Sequence, residues 1–460
     1  MLKKYIGDKP FYSRLFKLML PIMIQNGITN FVNMLDNIMI GAVGTAQMTG
    51  VAITNQLFFV FNLCIFGAVS GAGIFGAQYF GKKDYKGVHY TFRFKILFAL
   101  ILTLLSIGLF VFYGKELLLM YMQGEQGVTD AKETLIYASN YLKIMLIGLI
   151  PYAIVQSYSS TLRESANPNL PMLSGIFAVL VNLIFNYILI FGKFGTPRLG
   201  VNGAAIATVI SRFAELAVIV FFTHFNKKKY SFIKGVYKSF YIPKRLVGQF
   251  FVKGLPLMIN ETLWASGLAV INQCYSLRGL DAVAANNISQ TFWNVFAIAH
   301  MAVGAAIAII IGQLLGANKL EEAKSESDKL IFTSFVIAVV ISIIYFFLAE
   351  IIPLAYNTES EIRSLSTVLM QITAIAMPFD ALAHSSYFTM RSGGKMFITF
   401  IFDCGFMWGV TVLCAFILSR YTALPFILMF TIIHFISVLK GISGVIVVKN
   451  GFWVKNIISE

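Results

Sequence analysis

Charge is what this sequence has least of. Asp, Glu, Lys and Arg make up 12% of its 460 residues, against roughly 25% in soluble globular proteins. A water-soluble fold of this size could not cover its surface with so few charges, and disordered and coiled-coil classes fall on the same figure. Cysteine is almost missing. Cys64, Cys274, Cys404 and Cys414 sit in apolar runs without metal-ligand spacing. They exclude a disulfide scaffold and read as small buried hydrophobes. Five scattered histidines, with no HExxH pair, give no metal site to expect. Neither a GxxxxGK[ST] nor a GxSxG motif occurs, so ATP drive and a nucleophile-elbow enzyme are not indicated, and no cofactor is expected.

What the sequence has is hydrocarbon: 58% hydrophobic residues and a mean hydropathy of +0.76. A membrane-spanning helix needs about 20 mostly apolar residues. Twelve stretches qualify, at 15–41, 50–80, 92–113, 137–162, 170–192, 201–224, 247–276, 283–316, 330–349, 364–390, 396–419 and 422–447. The expected fold is an all-α membrane protein. The basic N-terminus lacks an A-x-A cleavage site, so the first apolar run reads as a span and not as a signal peptide.

The net charge of +15 would suggest nucleic acid in a soluble protein. Here its placement follows topology, and no nucleic-acid partner is expected. With the N-terminus in the cytoplasm, 27 of the 36 Lys and Arg residues fall in cytoplasmic segments or the adjoining parts of spans, seven outside, and Lys143 and Arg212 are assigned to neither side. The positive-inside rule then puts both termini in the cytoplasm. The segment His224–Arg245 carries seven basic residues and no acid. It divides the chain into an N-terminal lobe (1–224), a basic cytoplasmic linker (225–246) and a C-terminal lobe (247–460).

The halves repeat one another. At an offset of 235, Leu20 and Pro21 match Leu255 and Pro256, Asn37 matches Asn272, Gln78 matches Gln313, and Gly81 matches Gly316. Near an offset of 228, Pro151…Arg163 matches Pro378…Arg391. Six helices per copy give both copies one orientation. Parallel repeats of this kind are a transporter architecture, with the site between the halves.

Acids inside lipid are expensive and mark function. Asp36 lies in the first span on a polar stretch with Asn33 and Asn37. Glu261 follows Pro256 and Asn260, and Asp380 follows Pro378 by two residues. A span proline frees a carbonyl, and a carboxylate beside loosened backbone can take a proton or a hard cation. Glu261 and Asp380 are expected to share one site. Asn182, Asn186 and Thr208 could lend side-chain oxygens to Asp36, with interhelical hydrogen bonding an equal alternative. Asn286, Asn287 and Gln290 stand in the same relation to Glu261. Arg212 and Glu215, at i, i+3, read as a structural pair. Asp403 has no charged partner in sequence and stands evenly between function and packing.

Four segments carry a resemblance: Gly200–Thr208 (GVNGAAIAT), Gly76–Gly81 (GAQYFG), Ile311–Gly316 (IGQLLG), and Pro378–Ala381 (PFDA) ending at Arg391–Gly394 (RSGG). Over essentially its whole length the chain resembles the multidrug and toxic compound extrusion (MATE) family of secondary antiporters. The resemblance implies two six-helix lobes in a V shape, exporting organic, cationic compounds in exchange for Na⁺ or H⁺. It implies coupling roles for Asp36 in the first helix and, as in the norfloxacin-exporter branch, for Glu261 and Asp380. Family members with an N-lobe cation site often show Asn-x3-Asp in the fifth helix. Asn186 stands at the acid's position here, which shifts the expected coupling toward the C-lobe acids. Asn33, Asn37, Asn260, Asn286, Asn287 and Gln290 are the candidate substrate contacts, and a monomer in a bacterial plasma membrane is expected. A lipid-linked precursor flippase of the same superfamily, and a membrane-embedded enzyme or channel, are the alternatives.

Overall fold

The computed structural model describes residues 4–122, 131–356 and 358–459. Lys3, one of the charges assigned to the cytoplasm, lies outside them. Among the described residues the regular structure is helical throughout: α1 (Lys9–Gly41), α2 (Thr45–Gly81), α3 (Tyr85–Met122), α4 (Ala131–Glu164), α5 (Asn169–Phe191), α6 (Val201–Phe225), α7 (Lys244–Ser276), α8 (Leu280–Phe296), α9 (Ile298–Gly316), α10 (Leu320–Leu348), α11 (Ser360–Ser392), α12 (Met396–Phe400), α13 (Leu413–Tyr421) and α14 (Phe426–Lys449). Eleven helices among the described residues are long and apolar enough to cross a membrane. The first is not one of them, because Gln25, Asn26, Asn30, Asn33, Asp36 and Asn37 dilute its apolar run. Most helices outrun their apolar cores, as spans that continue past the hydrocarbon do.

Local chemistry sets several of these elements. Asp8 accepts the Phe11 amide N–H at 2.9 Å ahead of α1, and Pro10 stands in the first turn where no N–H is needed. The expected eighth span is two helices meeting at Ala297, a break that no neighbouring proline or glycine announces. The eleventh runs from α12 through two π-helical stretches, Ile401–Gly405 and Met407–Val412, into α13. Prolines 21, 151, 256 and 378 all sit inside helices. In lipid the carbonyl that each leaves unpaired needs another donor. For Pro378 that carbonyl belongs to Ala374, and the Ser342 hydroxyl from α10 donates to it.

The chain forms two compact units, one of residues 24–76 and 85–258, the other of residues 1–23, 77–84 and 259–460. The first packs α3, α4, α5 and α6 around a core that includes Ile65, Phe110, Leu118, Leu142, Ile190 and Ala205. The segment after α6 folds back on this unit. Phe232, Ile233 and Val236 are buried, and Arg93 donates to the carbonyls of Val236 and Tyr241 at 2.7 and 3.1 Å. In the second unit α11 packs on α14, α10, α9 and α8. Its tail is anchored by Trp453, wholly buried, whose indole N–H donates to the Val448 carbonyl at 2.9 Å.

The repeated Gln-x-x-Gly helix ends, Gln78–Gly81 and Gln313–Gly316, have a reciprocal role in this second unit. A Cβ on Gly81 would run into the backbone of Gln313, and one on Gly316 into the backbone of Gln78. Only glycine lets the ends of α2 and α9 cross this closely. Gln78 also donates to the Ser392 carbonyl at 3.0 Å and accepts from Ile457 N–H at 2.9 Å. Arg14 donates to Gln313 Oε1 at 3.2 Å.

Candidate functional site

In the first unit the polar residues of α1, α5 and α6 converge. Asn182 and Asn186, one turn apart on α5, face the same way. Asn186 Nδ2 donates to Asp36 Oδ1 at 2.6 Å and to Asn182 Oδ1 at 3.0 Å. Asn182 Nδ2 lies 3.3 Å from Thr208 Oγ1. Turning the Asn182 amide over puts its NH₂ 3.0 and 3.2 Å from the two Asp36 oxygens, and Thr208 then donates to Asn182 Oδ1. Turned so, Asn182 presents its donor side to the carboxylate and its acceptor side to Thr208. Asn186 Oδ1 is buried without a hydrogen-bond partner. All four residues singled out for this unit thus form one cluster. Asn33 and Asn37 are exposed beside it on α1.

Two ion pairs complete the polar interior of this unit. Arg212 reaches Glu215 at 3.5 Å, as the i, i+3 spacing predicts, and its guanidinium lies over the Tyr152 ring. The other pair is not legible in sequence. Lys95 Nζ sits 2.6 Å from both Glu164 oxygens, and 3.2 Å from the hydroxyls of Ser160 and Thr161. Glu164 nests against Gly73 and Gly76 of α2, where any Cβ would meet its carboxylate.

In the second unit the expected shared site of Glu261 and Asp380 takes a different form. Among the described residues no hydrogen bond joins them. Glu261 Oε1 accepts from the Tyr387 hydroxyl at 3.2 Å, with the Arg391 charge nearby. Asp380 lies beside Ser437 and in the field of Lys440. Between the two runs a chain of contacts centred on Asp403. Lys440 Nζ donates to Asp403 Oδ1 at 2.6 Å, and Asn260 Nδ2 donates to Oδ2 at 2.8 Å. Asn260 also reaches Tyr387 at 3.3 Å. Four elements therefore meet here: α7, α11, the π-helical stretch and α14.

Asp403 is thus at the centre of the cluster, and it does have a charged partner. Lys440, counted with the cytoplasmic charges, stands on α14 and points to it. Its position deep in the run ISVLKGISGVIVV is the signal that could have identified it. The carbonyl freed by Pro378 is taken by Ser342, so it is not open to an ion. Asn286 bonds Asn272 at 3.2 Å, not Glu261. Asn287 and Gln290 are exposed on α8.

The profile of the MatE family matches residues 21–188 and again residues 256–417. The two matches begin at Pro21 and Pro256, the offset at which the halves align. A protein of Thermotoga maritima called probable multidrug resistance protein NorM is 24% identical over 413 residues, 88% of this chain and 85% of that protein. The Bacillus subtilis probable multidrug resistance protein YoeA is 26% identical over 429 residues, covering 91% of this chain and 89% of its own. A solved outward-facing multidrug resistance MATE family transporter of the MOP superfamily superposes with a TM-score of 0.85. It shares 16% identity, with 98% of each chain covered. Long apolar helices in two matching halves, polar clusters buried inside both, and a family profile that takes in most of the chain lead to one assignment: this chain belongs to the MatE family of multi-pass membrane transporters, which are not enzymes.

Proposed function

We propose that this transporter exports organic, cationic drugs and toxic compounds across the bacterial plasma membrane in exchange for Na⁺ or H⁺. In this reading both termini are cytoplasmic, the linker 225–246 joins the lobes 1–224 and 247–460, and the protein works as a monomer. Asp36, Asn182, Asn186 and Thr208 in one unit, and Glu261 and Asp380 in the other, bind the coupling cation or proton. The exposed amides Asn33, Asn37, Asn287 and Gln290 meet the substrate. Asn260 and Asn286 are hydrogen-bonded to Asp403 and Asn272 and line the interior behind them.

The observation that carries this reading is the environment of Asp36. Its hydrogen-bond partner at 2.6 Å is a neutral amide, and among the described residues it forms no ion pair. Arg212 acts on it only through space, without a bond, and a carboxylate in a spanning segment without a bonded counter-charge takes up a proton or a cation, and gives it up when its surroundings change. Exchange follows if the two conformations of the transporter differ in that affinity.

The test is uptake of a cationic dye into proteoliposomes under an imposed Na⁺ gradient and, separately, an imposed pH gradient. Transport is expected with at least one of them. Asp36→Asn keeps the shape, removes the charge, and is expected to cut ion-driven transport at least tenfold with insertion intact. Undiminished transport by this variant would reduce Asp36 to a packing residue.

A further inference from the structure

Glu261, Asp380 and Asp403 bring three carboxylates into the interior of the second unit. The fixed cations facing them are Lys440 and Arg391. The imidazoles of His300 and His384 lie alongside, with ring centroids 5.9 Å apart. With the acids ionised and the imidazoles neutral, this cluster has one negative charge more than it has cations. Neutrality in that state calls for one further monovalent cation.

The geometry at Asp403 says where. One carboxylate oxygen is bonded by Lys440 Nζ at 2.6 Å and the other by Asn260 Nδ2 at 2.8 Å. Oδ1 of the same Asn260 amide is buried and has no hydrogen-bond partner, although Asn260 is only 1% exposed. A buried amide oxygen normally finds a donor. A carboxylate beside an open amide oxygen is a hard-oxygen donor set of the kind that binds small cations. Asp403 also stands in a π-helical stretch, a wider turn that recurs at functional sites. Lys440, on a flexible four-carbon stem, has a second carboxylate within its field in Asp380.

We propose that Asp403 and Asn260 form a monovalent-cation site whose resident is the chain's own Lys440 ammonium, so that Na⁺ enters only by displacing the lysine. The displaced ammonium turns to Asp380, and the net charge of the cluster rises by one on sodium entry. Lys440 is a tethered competitor. Its effective concentration at Asp403 is of millimolar order or above, set by the length of its stem. It therefore weakens sodium binding at the site it occupies. The consequence for transport rests on the ion-coupled reading above; the binding claim does not.

The experiment is thermal unfolding of the purified full-length protein as NaCl replaces choline chloride at constant ionic strength. The wild type is expected to show little sodium-specific rise in Tm. Lys440→Met should show a saturable, sodium-specific rise, with half-saturation at roughly tenfold lower NaCl or less than any seen in the wild type. Adding Asp403→Asn to Lys440→Met should abolish it. A wild-type rise that Asp403→Asn removes and Lys440→Met leaves unchanged overturns the proposal, as does a folded Lys440→Met protein indifferent to sodium. Lys440→Met that folds only in NaCl and is lost in choline supports it. Failure to fold in either salt, while the Lys440→Met/Asp403→Asn protein folds, overturns it. Dye transport by the wild type is measured in parallel. The sodium pattern without transport removes the export reading alone, and transport without the pattern removes this inference alone.

Discussion

Removing the amine of Lys95 should destabilise the protein far more than removing the whole Lys95–Glu164 pair. The Lys95 side chain is wholly buried and that of Glu164 is 10% exposed. All the hydrogen bonds of the ammonium are made, to both carboxylate oxygens and to two hydroxyls on α4. In Lys95→Met the carboxylate keeps the Ser160 hydroxyl at 2.5 Å but faces the glycine wall of α2 without its bonded counter-charge. Breaking a buried pair from one side costs about 3–5 kcal/mol. Replacing both partners with neutral side chains of similar volume removes the stranded charge, so Lys95→Met/Glu164→Gln should lie within about 1–2 kcal/mol of the wild type. The two changes are then coupled by at least about 2 kcal/mol. Reversible unfolding in mixed micelles, with the two single variants and the double, closes the cycle. A Lys95→Met cost under about 1 kcal/mol, the range of exposed pairs, would refute the reasoning, because it would mean that water reaches the pair.

Three further outcomes follow from the packing. Ser342→Ala strands the Ala374 carbonyl that Pro378 cannot satisfy, costing about 1–3 kcal/mol; Pro378→Ala restores an N–H at that position and should recover much of the loss, and a double variant as unstable as Ser342→Ala alone would show that the carbonyl was otherwise paired. Trp453→Ala empties a fully buried site and should cost about 3–5 kcal/mol, lowering Tm in the same detergent; an unchanged Tm would mean that the tail after α14 adds nothing to the fold. A single cysteine at Lys228, in a background without Cys64, Cys274, Cys404 and Cys414, should resist an impermeant thiol reagent on intact cells and react after lysis; ready labelling from outside would reverse the proposed orientation.

The fold class and the two-fold repetition were legible in the chain because both are written locally. A span is a run of apolar residues whose length the bilayer dictates, and hydropathy reports it without any knowledge of neighbours. The prolines and glycines of the repeat could be aligned because a fixed offset is read without any knowledge of packing, although what requires glycine at 81 and 316 is the crossing of two helices. Asp36 was visible because an acid is out of place in lipid, and its amides because α5 presents them one turn apart.

Partners were another matter. Asn186 meets Asp36 across 150 positions of sequence and Asn260 meets Asp403 across 143, and no periodicity reports a distance of that kind. Lys440 looked like a topogenic charge because a lysine in a helix can snorkel or pair, and only the packing of α14 on α11 and the π-helical stretch decides which. Lys95 and Glu164 stand at the ends of two expected spans, and nothing in their local sequence joins them. It was the absence of side chains at Gly73 and Gly76 on a third helix that let them close into a pair. Chain-local demands of lipid and backbone were set by the sequence alone; which charges neutralise one another was decided by the tertiary structure, because Coulomb energy and desolvation depend on distances that exist only after the helices have packed.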